Sequence, residues 1–443
     1  MIQEQKKEVL GIIRRLRNRD FSGNTGLAVK NSAYNLSTSL IAKIGSLLFT
    51  VIIARMLMPE LFGLYSLALS TTVLFAAFSD LGIGTVLIKY LASESSKKKG
   101  NIGKYYYYLL RLKLYLSIGV SLVLVLGAYL IANNYYHKPI FFALLAGGLY
   151  VFANSMLGFF SSVFQAFNDF KKFLVKEVIF QVLRLVLIPL AIFLALKYSS
   201  ELVLFSVMLS LAISFFFAAL YLYLNVPRIA KSSISLEEKK KILLFILPMS
   251  TTILSGIFFG YVDTIILGRF VEAEFIGYYQ AALALIGSAG AFVGFTAGAL
   301  FPLFSQMKGE KLNLLFKRSK KYTLLLGLAG MIASLLLSRI IILVIYGSPY
   351  LQAVNILRIF SVLLVLDSLI GIYTTFYISQ NKPIFVAKIL VFSTVLNIIL
   401  NYFFISYLVS NSHYLATIGA ACATIIAKIV HLCILVLTKN ISR

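Results

Sequence analysis

Apolar residues fill this chain in long blocks, and short clusters of Lys, Arg, Asn and Ser separate one block from the next. A block of about 20 apolar residues matches a hydrocarbon layer about 30 Å thick, at about 1.5 Å rise per helical residue. Read this way, the sequence predicts twelve spans, starting near residues 31, 62, 109, 139, 174, 201, 242, 275, 322, 352, 384 and 414. Several exceed the layer's thickness, which predicts tilt or extension into the headgroup region. Composition agrees: the chain is 60% hydrophobic and 13% charged, with a mean hydropathy of +0.91. A soluble domain of 443 residues has no use for so much apolar surface, so the fold class is an all-α integral membrane protein.

The pattern repeats. Ala54-Arg55 and the run Pro59 to Tyr65 return 214 positions later as Gly268-Arg269 and Ala273 to Tyr279. Arg55 falls on Arg269, Glu60 on Glu274, Gly63 on Gly277, Tyr65 on Tyr279 and Ala68 on Ala282. Phe164 and Asn168 echo as Tyr377 and Asn381 at nearly the same offset. Matches held in one register mark a bundle written twice. Six crossings per copy give both copies one orientation, related by a pseudo-twofold axis along the membrane normal. The expected organisation is an N-terminal segment 1–26, an N-lobe 27–225, a linker 226–241 and a C-lobe 242–443. The linker is basic, with Pro227, Ser232, Ser233 and Ser235.

Charge fixes the expected orientation. The net charge of +25 suggests nucleic acid until the basic residues are assigned to alternate loops. One side then receives 29, and the other only Arg55, Lys138, Lys197 and Arg269. This asymmetry predicts a multi-pass protein of the cell membrane with both termini cytoplasmic, its basic loops facing anionic lipid and not nucleic acid. Val9, Leu10, Ile12, Ile13 and Leu16, set among Lys and Arg, fit an amphipathic helix on the inner face or a disordered basic tail. Cys422 and Cys433 lie about 16 Å apart along one helix, too far to bond, and read as buried small apolar residues. No P-loop, metal-ligand cluster or Ser-His-Asp set appears, so neither an enzyme nor a resident cofactor is expected. Outward loops of about ten residues or fewer leave no room for a glycan polymerase or ligase domain.

Four spans carry small or polar stripes. They are Asn35, Ser39, Lys43, Ser46 and Thr50 on the first, and Ser66, Ser70, Val73, Ala77, Asp80 and Gly84 on the second. The seventh has Thr252, Gly256, Gly260 and Asp263, and the eighth Gln280, Ala284, Gly287, Ala291, Gly294 and Gly298. Small residues at this spacing either pack helices closely or line a cavity. The run Arg55-x3-Pro59-Glu60-x-Phe62-Gly63-x-Tyr65, with Asp80-Leu81-Gly82 closing the second span, resembles the Wzx-type polysaccharide flippases. That branch belongs to a larger group with multidrug exporters and MurJ-like lipid II flippases, and the resemblance spans residues 27 to 440. It implies two six-helix lobes in a V, with spans one, two, seven and eight around a cavity. The two extra helices that form a tail groove in MurJ-like proteins are not found here.

Ionisable residues far from both interfaces are costly and are functional candidates by default. Lys43, Arg184, Arg358 and Lys428 are the candidate substrate-binding cations, with Asn35 and Ser39 beside Lys43. Asp80, Glu177, Asp263 and Asp367 are candidates for coupling or gating by H+ or Na+. Glu177 and Arg184 share a helix face and are expected to pair through a water. Arg111 and Lys113 are expected to snorkel to the surface beside Tyr105 to Tyr108, and His431 to be a satisfied packing residue. In the function the resemblance implies, the cations neutralise the diphosphate of a polyprenyl-linked oligosaccharide while its tail stays in lipid. Outward movement of each negative charge then gains about 2.3 kcal/mol per 100 mV. The expected carrier is monomeric and works beside other glycan-assembly proteins. Its rival is a multidrug/cation antiporter, which would favour acids over bases in its cavity.

Overall fold

The computed structural model describes residues 23–95, 97 and 101–441. The expected amphipathic or disordered N-terminus lies outside them up to residue 22, and Arg443 lies outside them too. Helices account for nearly all described residues, and no strand occurs among them. In lipid this follows from hydrogen bonding, because a helix satisfies its own backbone polar groups where water cannot.

The first helix, α1 (Gly23–Asp80), is two spans joined at a break. Met58 takes φ 59° and ψ 171°, and Pro59 opens the second limb, a position where its missing N–H costs nothing. The remaining helices of the first half are α2 (Ile83–Ser95), α3 (Ile102–Tyr129, ending in a π-turn over Leu130–Tyr136), α4 (Phe141–Ala166), α5 (Phe170–Ala195) and α6 (Ser200–Leu224). The second half holds α7 (Leu236–Phe270), α8 (Ala273–Gln306), α9 (Gly309–Ile345), α10 (Ala353–Phe360), α11 (Leu363–Ser379), α12 (Pro383–Leu408) and α13 (His413–Ile441). Ten segments among the described residues are long and apolar enough to cross a membrane. One of them, Lys30–Ser95, contains the Met58 break, and α8 stands outside the ten, so the chain makes twelve passes.

Two boundaries differ from expectation. The second span does not close at Asp80-Leu81-Gly82. Leu81 (φ 44°) and Gly82 (φ 79°) kink the chain, and α2 carries the pass on to Ser95. The tenth span is divided into α10 and α11 around Ser361, whose hydroxyl donates to the Arg358 carbonyl at 2.6 Å. The cysteines also depart from the buried reading: Cys422 is half-buried and Cys433 exposed.

Helices of the first half pack chiefly on one another, as do those of the second, and α1 makes the main bridge between the halves, to α8 and then α7. The repeated run is the seam of that bridge. A Cβ on Gly63 would lie 1.8 Å from the carbonyl oxygen of Ala273, and one on Gly277 would lie 2.1 Å from that of Pro59. Pro59 and Ala273 are themselves repeat mates, so the contact is reciprocal, as in an isologous dimer interface. The Arg55 guanidinium donates to the carbonyls of Ile345 (2.7 Å) and Val344 at the C-terminus of α9, and Tyr350 donates to the Ala54 carbonyl at 2.8 Å. A cation on the last carbonyls of a helix is favourably placed. The two halves are thus fastened at the end of the bundle that carries the repeat, called here the motif end. The opposite, basic end carries the linker. Asn168 (φ 56°) and Asn381 (φ 58°) explain the second echo: each turns the chain in the left-handed region just before a helix begins.

Candidate functional site

The limbs of α1 and the helices α4, α5, α6, α7 and α8 surround a chamber of about 290 Å³ in the interior. Ser46, Thr50, Tyr65, Ser66, Ser70, Tyr150, Tyr261 and Gln280 supply its polar lining, and Phe49, Phe62, Phe180 and Phe215 its aromatic wall. Among the described residues Arg184 is its one charged member, and no carboxylate lines it.

Arg184 is only 7% exposed and is held from three sides. Its guanidinium carbon sits 4.5 Å from the Phe49 ring centre and 5.0 Å from that of Phe180, within reach of a cation–π attraction. Its Nε donates to Gln181 Oε1 at 2.9 Å, Gln181 Nε2 donates to Glu177 Oε1 at 2.7 Å, and Lys176 Nζ lies 3.0 Å from Glu177 Oε2. Gln181, not a water, joins Glu177 to Arg184. The relay leaves one guanidinium nitrogen of Arg184 buried with no partner, and the Tyr65 hydroxyl, on a residue 3% exposed, has none either. Both residues line the same chamber. Unsatisfied buried donors are expensive, and most native ones are found paired. Two on one small chamber, one of them cationic, are complementary to a bound anion's oxygens.

Lys43 lines a neighbouring slot of about 420 Å³ between α1 and α8, with Ser39, Ser46, Thr50, Ala284, Gly287 and Ser288. Ser46, Thr50 and Ala284 are shared with the chamber, so slot and chamber adjoin. A Cβ on Gly287, Gly256 or Gly260 would meet no atom within 4 Å, so these glycines border open space and do not pack helices. The last members of the α8 stripe, Ala291, Gly294 and Gly298, lie outside the described side chains. Asn35 is exposed one helical turn before Ser39 and does not line the slot.

The other candidates sit elsewhere. Lys428 pairs with Asp367 at 2.5 Å between α13 and α11, and neither lines the chamber. Arg358 donates to Ser338 Oγ at 2.9 Å and Asn355 Oδ1 at 3.3 Å. Asp80 pairs with Lys113, which is 1% exposed, so Lys113 does not snorkel; only Arg111 is exposed. That pair lines a second polar cavity of about 390 Å³, with Asn154, Ser155, Ser162 and Gln165. His431 is buried with its Nε2 unpartnered, so it is not the satisfied packing residue expected. Asp263 is buried and enclosed: it accepts from the Tyr279 hydroxyl and, at 2.8 Å, from its neighbour's amide on Thr264, while Gln280 donates to the Thr264 hydroxyl. Sequence reasoning missed Tyr65, Tyr150 and Tyr261 as cavity residues. The signal was present at offset 214, where Phe49 stands in place of Asp263 and leaves Tyr65 without an acceptor.

A twelve-pass bundle of two fastened halves around an internal chamber is the architecture of a membrane transporter. A family model for polysaccharide biosynthesis proteins matches residues 28–308, and the chain belongs to that family, as the Arg55–Tyr65 run implied. Among solved structures, the lipid II flippase MurJ in an inward closed conformation superposes with a TM-score of 0.71 at 16% identity, over 90% of this chain and 86% of that one. An inward-facing multidrug resistance MATE family transporter of the MOP superfamily gives 0.62 at 16% identity, over 92% of this chain and 94% of that one. An outward-facing MATE transporter gives 0.56 at 16% identity, over 94% and 96%. These likenesses define the fold. No curated protein matches the sequence.

Proposed function

We propose that this protein is a flippase that carries a polyprenyl-(di)phosphate-linked oligosaccharide from the cytoplasmic to the outer leaflet of the cell membrane. The reading divides the chain into an N-lobe (27–225), a linker (226–241) and a C-lobe (242–443), with the basic end in the cytoplasm. Arg184 and the Tyr65 hydroxyl bind the phosphate oxygens, and Lys43 meets the head group in the slot between α1 and α8. The lobes then rock about the Gly63–Gly277 seam to expose the chamber to the other side. One observation carries the proposal: a buried guanidinium with an unpartnered nitrogen in a chamber that has no carboxylate. The same observation speaks against a multidrug/cation antiporter, whose cargo calls for negative charge where this chamber has positive. A free diphosphate in hydrocarbon is prohibitively costly, and an aqueous chamber with a fixed cation removes most of that cost.

The test is leaflet-to-leaflet transfer of a labelled polyprenyl-diphosphate oligosaccharide in proteoliposomes. Arg184→Gln keeps a polar side chain of similar reach and removes the charge, and is expected to slow transfer about 10- to 100-fold, the worth of one or two hydrogen bonds to a charged group. Lys43→Ala is expected to slow it less. Normal transfer by Arg184→Gln, or faster transfer of an organic cation than of the sugar lipid by the parent protein, overturns the assignment.

A further inference from the structure

Resting on the flippase reading, we infer that the lipid's isoprenoid chain docks in an apolar groove beside α8, against α9, α10 and α11, and is not left loose in the bilayer. The groove has a volume of about 440 Å³, and Leu47, Leu285, Ala289, Ala333, Ile341 and Leu364 are among the apolar residues of its wall. Among the described residues no charged side chain lines it, and Ser288 and Ser334 are its only polar members.

Position identifies the occupant. Ser288 belongs both to this groove and to the Lys43 slot, and the slot shares Ser46, Thr50 and Ala284 with the Arg184 chamber. The three spaces therefore run in sequence: a chamber with a buried cation, a polar slot with a second cation in its lining, then an apolar trough. An anionic head with a long hydrocarbon tail has the same order of charge and apolarity. The first limb of α1 turns Leu36, Leu40, Ile44 and Leu48 outward along one exposed apolar stripe.

The opposite seam between the lobes does not offer such a path. There a Cβ on Gly82 would lie 2.9 Å from Met249 Cβ, Phe78 meets Phe258 edge-on at 6.1 Å, and Lys89 Nζ stands 3.7 Å above the Phe245 ring. Of the two seams, only the one between α1 and α8 combines a polar opening with an apolar trough. A tail held there tethers the lipid while its head crosses, which converts a two-dimensional encounter into a local one.

The experiment measures binding to the full chain in nanodiscs, using a long-chain polyprenyl diphosphate and, separately, inorganic pyrophosphate. Ala333→Phe fills the groove, and Ala289→Leu does so from its exposed rim, so that one variant remains should the other not fold. Each is expected to weaken the long-chain ligand at least about tenfold, because buried CH2 groups dominate tail affinity, and to leave pyrophosphate binding unchanged. Arg184→Gln is expected to lose pyrophosphate binding and to weaken the long-chain ligand as well, since both present the same diphosphate. Long-chain affinity within about twofold of the parent in a folded groove variant overturns the groove, whatever Arg184→Gln does. Equal competition by phosphatidylglycerol also overturns it, since the trough would then hold any acyl chain. Pyrophosphate binding that ignores Arg184→Gln instead overturns the head-group site.

Discussion

The same four positions are closed in one lobe and open in the other. In the C-lobe, Asp263 and Thr264 on α7 face Tyr279 and Gln280 on α8, and hydrogen bonds zip the two helices together. Subtracting the repeat offset gives Phe49, Thr50, Tyr65 and Ser66 in the N-lobe, and all four line the Arg184 chamber. Two exchanges account for the contrast: phenyl stands for carboxylate at position 49, and Ser for Gln at position 66. With no acceptor at position 49, Tyr65 keeps a bare hydroxyl, and the phenyl face becomes a seat for the guanidinium. Interhelical hydrogen bonds in membranes are worth about 0.6 kcal/mol on average, so a duplicated bundle sacrifices little stability when one copy loses its set. It gains a site. The lesson is that a repeat informs most where its copies disagree.

The largest expected effect falls where the copies still agree. Gly63→Ala would push a methyl group onto the Ala273 carbonyl, and Gly277→Ala one onto the Pro59 carbonyl. Backbone cannot yield as a side-chain tip does, so each substitution is expected to cost about 1–3 kcal/mol of overpacking. Because the contact is reciprocal, the two costs should match to within about 0.5 kcal/mol. Thermal unfolding in detergent measures both, and proteoliposome transfer should fall alongside. A large loss at one glycine and none at the other would break the pseudo-twofold description of the seam.

Much of the fold was legible in advance because lipid leaves few choices. Apolar blocks gave the twelve passes, and the repeated run marked the seam between halves. The kink at Leu81-Gly82 was misread as an ending, because a left-handed pair after Asp80 looks the same whether a helix stops or bends. The site was less legible. Arg184 was picked out as a buried cation, but so were Lys428 and Arg358, which the fold gives to Asp367 and to Ser338 with Asn355. Charge in a span reveals that a partner is needed; which helix supplies one is a tertiary fact. Lys113 illustrates the same limit from the other side. Beside four tyrosines it looked interfacial, yet it faces inward to Asp80, 33 positions away in sequence. Tyr65 was the recoverable miss, since the Phe49 exchange is written in the repeat.

The next effect in size comes from undoing that exchange. Phe49→Asp gives the N-lobe the C-lobe's residue, beside both the Tyr65 hydroxyl and the Arg184 guanidinium. The new carboxylate would accept from both and occupy the donors an anion needs. Pyrophosphate or polyprenyl-diphosphate binding is expected to fall about tenfold or more, while thermal stability holds, since a buried cation gains a counter-charge. Substrate affinity unchanged by Phe49→Asp would show that the Tyr65–Arg184 pair does not hold the anion.

The smallest effect is the most discriminating, because it sets two equivalent tyrosines against each other. Tyr279→Phe removes the donor to Asp263 and leaves a buried carboxylate with fewer bonds, an expected loss of about 1–2 kcal/mol in stability. Tyr65→Phe removes a hydroxyl that bonds to nothing in the protein, so stability should stay level or rise by a few tenths of a kcal/mol. Binding should show the opposite order. Tyr65→Phe is expected to weaken diphosphate affinity about tenfold, the lower end of the worth of one hydrogen bond to a charged ligand, and Tyr279→Phe hardly at all. Paired unfolding and binding curves for the two variants decide the matter. If both tyrosines moved stability alone, the N-lobe hydroxyl would be only a relic of the duplication, and the chamber would owe its anion affinity to Arg184 by itself.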